Sequence, residues 1–277
     1  MKIIDMRVRA PFGAYTRGCN LFSPALDSIV SQRLPKCKAD PSALEGSMEM
    51  LIQEIENSDI EKIVVPVRKA IDGNNTELVD LINRYPDKIV GMAGIDAVNI
   101  PASIAEIEQY VVNGPCQGII MEPGQDKSPW FANTPKVFAV YEYCEAHNIP
   151  IFMTFGGIMS DLRYYDPKIL DDICIAFPKL KLGLAHGGWP YVTEVCQIAL
   201  NRGNVYLAPD FYMIESPGMQ DYVMAANCLL KERMMFASAY PLMPIKGAAE
   251  YYMNCGVRED CLPYLMHDNA VEFLGLK

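Results

Sequence analysis

No stretch of this chain reaches the roughly 18 to 20 apolar residues that a helix needs to cross a bilayer. The opening MKIIDMRVRAP meets a charge at Asp5, too early for the apolar core of a secretory signal. Basic side chains are also short: 24 lysines and arginines against 34 aspartates and glutamates give a net charge of −10. Such a surface repels phosphate backbones and anionic headgroups, so neither nucleic acid nor a membrane is an expected partner. The nine cysteines are odd in number, scattered and never spaced as C-x-x-C, which argues against a disulfide framework and for free thiols in a reducing compartment. A cytoplasmic location is therefore expected. Low-complexity tracts are missing, as is any internal repeat of about 20 to 50 residues.

What is present is a large apolar share, 51%, with 21% charged residues, the composition of a compact fold rather than a disordered chain. Short β-branched runs alternate with longer segments of helical period eight times. The runs fall at residues 2–8, 61–67, 88–95, 117–121, 150–155, 180–186, 204–210 and 233–239. Two further helices, about 246–255 and 259–274, close the chain, and PSALEGSMEMLIQEIENS reads as one helix with Pro41 in its first turn. Eight strands each backed by a helix, with no linker-like break, predict an α/β fold: a single (β/α)8 TIM barrel spanning residues 1–277. Residues 10–40, with Tyr15, Arg17 and Cys19, read as a long loop of the sort that closes over a site or pairs with another subunit, so a homo-oligomer is possible.

In such a barrel, chemistry sits at the C-terminal ends of the strands. Those ends carry Asp5, Arg7 and Arg9, then Arg68, Asp96, Glu122, Thr154, His186, Asp210 and Tyr240 in strand order. Of the three histidines, His186 is the one placed for function, in LAHGGWP, where a glycine pair permits close backbone approach by a ligand. His147 reads as a helix C-terminal cation and His267 as a packing or capping residue. Arg7 and Arg9 alternate along the first strand, so both side chains point to one face, and two guanidiniums aimed together suit a carboxylate or phosphate. Glu122 and Asp210 are each candidate general bases or counter-ions for those arginines. His186, Glu122 and Asp210 form the candidate catalytic set. Arg7, Arg9, Arg68, Trp189 and Tyr240 form the candidate substrate-binding set.

The segments IIDMRVRAP, NIPIFMTFGG, LAHGGWPYVTE, FASAYPLMP and HDNAVEFLGL resemble, in that order, motifs of the amidohydrolase superfamily. The resemblance is to its amidohydrolase-related branch, which includes aminocarboxymuconate-semialdehyde decarboxylases and pyrone-dicarboxylate lactonases. It implies a barrel whose divalent metal is held by two histidines on strand one, one each on strands five and six, and an aspartate on strand eight. Here those positions carry Arg7, Arg9, Met153 or Thr154, His186 and Ala239. One histidine does not make an open zinc site, and two cations repel the ion, so no cofactor is expected and zinc is disfavoured; a metal, if held, would fall to His186 and Glu122. The expected function is lactonase-like, metal-independent hydrolysis of a small anionic carboxylate substrate. The alternatives are a non-oxidative decarboxylase of a carboxylated ring or enol acid, and an inactive homologue that binds a small anionic metabolite.

Overall fold

The computed structural model describes residues 1–17, 21–157 and 161–277; Cys19 lies outside them. Seven parallel strands follow one another around a ring in sequence order. They are β1 (Ile3–Asp5), β2 (Ile60–Pro66), β3 (Ile89–Gly94), β4 (Gly118–Met121), β5 (Ile151–Thr154), β6 (Leu182–Ala185) and β7 (Val205–Ala208). Residues of β3 to β7 are buried on both faces, as expected of a parallel sheet wrapped in helices, and this is why the strands read as nearly unbroken apolar runs.

The eighth run, expected as a strand over residues 233–239, is not a regular one. It forms a single bridge from Met234 to Leu207, with Leu207 N–H donating to Arg233 O and Met235 N–H to Leu207 O, both at 2.8 Å. On its other side Met6 N–H donates to Phe236 O and Arg9 N–H to Tyr240 O, both at 3.0 Å, so the segment joins β7 to β1 and closes the barrel. Its ladder fails for a local reason: Ser238 N–H is taken by the Asp5 carboxylate at 2.9 Å, and Ala239 adopts left-handed backbone at φ 61°.

Inside the ring, Met6, Val64, Met92, Ile120, Phe152 and Met235 meet Phe273 from the last helix, Asn269–Leu274. Phe273 stands 5.2 Å from the Tyr206 ring and 6.3 Å from Phe152, at the N-terminal ends of β5 to β7. Gly183 makes room for it: a Cβ there would lie 2.7 Å from Phe273 Cζ. One mouth of the barrel is thus plugged with apolar side chains.

Two expectations about the outer layer need correction. The single helix expected from Pro41 is two, Pro41–Glu45 and Met48–Glu56, because Gly46 turns left-handed at φ 64° and Ser47 caps the second by accepting from Met50 N–H. The 10–40 segment, expected to lack regular structure, holds the helix Leu26–Arg33. Arg33 fastens it to the loop after β7, donating to Phe211 O at 3.3 Å and Ile214 O at 3.0 Å. Among the described residues no helix is long and apolar enough to cross a membrane.

Candidate active site

At the open mouth, β6 and β7 end in two non-glycine residues with left-handed backbone, His186 (φ 67°) and Asp210 (φ 49°). Such conformations are costly and persist only where the surroundings enforce them. The Asp210 carboxylate does the enforcing: it accepts from His186 N–H at 3.2 Å and lies 3.0 Å from His186 Nδ1, while the Tyr252 hydroxyl donates to its main-chain oxygen at 2.7 Å. Arg7 Nη1 donates to the same carboxylate at 3.0 Å.

Burial would push the Asp210 carboxyl up, but His186 and Arg7 outweigh it and hold the group below the ordinary carboxylate range. Burial, aided by the charge of Arg7 and opposed by Asp210, drives His186 down to about 4. Near neutrality the pair is an ionised carboxylate and a neutral imidazole. An ionised carboxylate only accepts, so the imidazole proton sits on Nδ1 and Nε2 carries a lone pair. A Cβ at Gly157 would stand 3.4 Å from Nε2; glycine leaves that approach open.

A second ion pair stands at the ends of β2 and β4. Arg68 Nε donates to Glu122 Oε1 at 2.6 Å and its Nη2 to Gln125 Oε1 at 3.1 Å, while the Thr154 hydroxyl donates to the same Glu122 oxygen at 3.3 Å. Glu122 Oε2 is buried without a hydrogen-bond partner among the described residues.

Arg9 differs from both other arginines. It is only 6% exposed, and its Nη1 donates to the carbonyls of Ala239 at 3.0 Å and Tyr240 at 3.5 Å. Among the described residues it pairs with no carboxylate, and burial together with the charges of Arg7 and Arg68 lowers it to about 9, still protonated near neutrality. Below it, Asp5 accepts from Arg7 N–H at 3.0 Å through Oδ1, while Oδ2 has no hydrogen-bond partner among the described residues; burial raises this carboxyl to about 6.

Arg7, Arg9, Arg68 and His186 line one cavity of about 290 Å³. Of the other sequence candidates, Asp210 and Glu122 touch it through their arginines. Trp189 stacks on Tyr212 at 4.8 Å and gives its indole N–H to Pro217 O, and Tyr240 is buried with its hydroxyl 2.8 Å from Ser42 Oγ; neither lines the cavity. Asp96 is exposed and does not line the cavity. Sequence reasoning missed Phe211, Tyr212, Leu21, Leu242, Gln125 and Gly157 as lining. Phe211 and Tyr212 directly follow Asp210 and were within reach of it, whereas Leu21 and Leu242 come from loops with no periodic signal. The remaining histidines are structural: His147 stacks on Tyr143 at 4.0 Å, and His267 ties the last helices to Glu61 at 3.0 Å.

The donor set does not fit a divalent ion where the resemblance would put one. Two guanidiniums, Arg7 and Arg9, occupy the strand-one positions, and His186 Nε2 is the one imidazole lone pair that the described residues place beside them. Among the described residues no three His, Cys, Asp or Glu side chains gather in a metal-binding group.

Solved structures share the fold. A TIM-barrel protein of unassigned role from Bordetella bronchiseptica is 29% identical, with 99% of each chain covered and a TM-score of 0.90. A dihydroxybenzoic acid decarboxylase from a Polaromonas species, with bound manganese and the inhibitor 2-nitroresorcinol, is 14% identical at a TM-score of 0.73, covering 99% of this chain and 97% of that one. A probable 2-pyrone-4,6-dicarboxylic acid hydrolase from Acinetobacter baumannii, with citric acid bound, is also 14% identical, at 0.66 over 100% of both chains. The sequence profile of the amidohydrolases matches residues 47–276, nearly the whole ring of strands, and the chain belongs to the amidohydrolase family.

Proposed function

We propose that this protein is a metal-independent, lactonase-like hydrolase of a small anionic carboxylate. One observation carries the reading: Arg9, a buried cation with no carboxylate partner among the described residues, shares its cavity with the lone-pair nitrogen of His186. A buried charge without a partner is costly, and a substrate carboxylate supplies that partner.

In this scheme the substrate carboxylate lies on Arg9 with the lactone carbonyl toward His186. Nε2 takes a proton from water as the water oxygen bonds to the acyl carbon, and Asp210 stabilises the imidazolium that forms. The ring C–O bond then breaks, and the leaving oxygen takes the proton back from Nε2. General-base assistance of this kind contributes about 10²- to 10⁴-fold. The Arg7 and Arg68 guanidiniums, fixed and charge-balanced by their own carboxylates, supply oriented N–H donors for the carbonyl oxygen as it develops its negative charge.

Decarboxylation is the second reading, supported by the apolar wall of Leu21, Leu242 and Phe211 and by the likeness to a decarboxylase. It requires an acid to protonate the carbanion, which a neutral His186 with its proton on Nδ1 does not offer. The test is a panel of carboxylated lactones followed by acid release, beside hydroxybenzoates followed by carbon dioxide release, on enzyme dialysed against a chelator. Acid release that survives dialysis and is lost in His186→Gln is expected. Carbon dioxide release, or activity that vanishes on dialysis and returns with zinc or manganese, overturns the proposal. Anion binding with no turnover would leave the metabolite-binding homologue.

A further inference from the structure

We infer that the cavity is built for a substrate with a single ionised group and discriminates against dianions. The inference rests on the anion-binding role given to Arg9 above and narrows it to a charge class.

Three guanidiniums reach the cavity, and two of them are already neutralised. Arg7 holds Asp210 at 3.0 Å and Arg68 holds Glu122 at 2.6 Å, with both carboxylates at least nine-tenths buried. Among the described residues Arg9 alone of the three forms no ion pair. Its Nη1 is engaged by two carbonyls, and no described acceptor meets Nε or Nη2, which leaves one edge of the fork for a carboxylate. His186 adds no charge near neutrality. Arg7 and Arg68 act on Arg9 as like charges, and Asp210, already paired with Arg7, opposes them. Residues 18–20 and 158–160 include no acidic side chain that would alter the balance.

A second carboxylate on the substrate has nowhere favourable to go. To meet Arg68 or Arg7 it must either displace Glu122 or Asp210, and with Asp210 the orientation of His186, or share the cation with that buried carboxylate. If it displaces neither, it lies against two buried carboxylates or against Leu21, Leu242 and Phe211. Breaking a buried pair leaves an unpaired charge, and that penalty scales the discrimination.

The test is calorimetric titration of the whole protein with paired ligands, acetate and malonate, benzoate and isophthalate, with benzamide as the neutral control. At least one monocarboxylate should bind about tenfold or more tightly than its dicarboxylate partner and than benzamide, and Arg9→Met should erase that advantage. Glu122→Gln supplies an independent arm: it frees the charge of Arg68 and should shift the ratio about tenfold toward the dicarboxylate. Equal or tighter binding of dicarboxylates by the wild-type protein, no binding of any carboxylate, or an unchanged ratio in Glu122→Gln overturns the inference. Failure of the hydrolase reading looks different: monocarboxylates are preferred but no lactone is opened. Faster opening of dicarboxylated than of monocarboxylated lactones would sink the charge class alone.

Discussion

His186 and Asp210 meet at 3.0 Å from the ends of adjacent strands, and each reaches the other only by adopting left-handed backbone. The pairing fixes a tautomer and, with burial, sets the pH at which the imidazole gains its proton.

Because His186 is lowered to about 4, it stays neutral through mildly acidic pH. The acid limb of kcat/KM should therefore lie below about pH 5 rather than near the ordinary histidine value of about 6.5. Asp210→Asn, which no longer demands the Nδ1 proton, should lower kcat by about 10²- to 10⁴-fold. A wild-type limb centred near about pH 6.5 would contradict the burial argument. The same shift predicts that His186 costs stability on acidification: the unfolded state takes up its proton first, so stability falls as the pH drops from about 6.5 through about 4.

Asp5 has the opposite sign. Its folded value of about 6 lies above its ordinary 3.8, so the folded state holds a proton that the unfolded state releases. Its contribution is most favourable below 3.8 and is lost as pH rises through about 6. Asp5→Asn keeps an oxygen for the N–H groups of Arg7 and Ser238 and cannot ionise. Between about pH 4 and about pH 7.5 the variant should gain on the wild type by up to about 3 kcal/mol in urea unfolding. A difference that does not change with pH refutes this.

Arg33 also lies 4.7 Å above the Phe211 ring while its Nη1 holds the loop carbonyls. Arg33→Leu removes charge-assisted bonds of about 1.5 to 3 kcal/mol apiece in favourable settings, so the loss should be on the order of 2 kcal/mol. Hydrogen exchange should quicken in residues 211–216 with the N-terminal barrel end unchanged. Exchange rising evenly over the chain would count against a local clasp.

Phe273→Ala should cost about 3 to 5 kcal/mol of stability, since it opens a cavity among the Phe152 and Tyr206 rings. The position of the acid limb should stay where it is, because the plug and the cavity sit at opposite ends of the barrel. A displaced limb would show that the two ends are coupled.

β3 to β7 were legible in sequence because burial on both faces leaves them almost wholly apolar, and the observed limits of all seven strands fall within a few residues of the expected ones. The eighth was legible in place but not in regularity. Its irregularity depends on Asp5, more than two hundred residues earlier, capturing the Ser238 N–H. The same distance hid the ion pairs. Sequence spacing put Arg7 and Arg9 at one mouth and offered Glu122 and Asp210 as their counter-ions without assigning either; the folded chain pairs Arg7 with Asp210, gives Glu122 to Arg68 and leaves Arg9 to main-chain carbonyls. Residue type announces that a charge needs a partner, but only the closure of the ring decides which. The apolar lining from Leu21 and Leu242 was illegible for a plainer reason, since isolated leucines in loops carry no pattern.

The way the ring shuts also constrains how the chain is made. β1 finds its second neighbour only in residues 233–240, and the interior is sealed by Phe273, far along the chain from β1. A growing chain therefore carries an open sheet with two unpaired edges and an unplugged apolar interior until Phe273 has emerged, the interval in which edge-to-edge association competes with folding. Removing the helix Asn269–Leu274 should make that interval permanent.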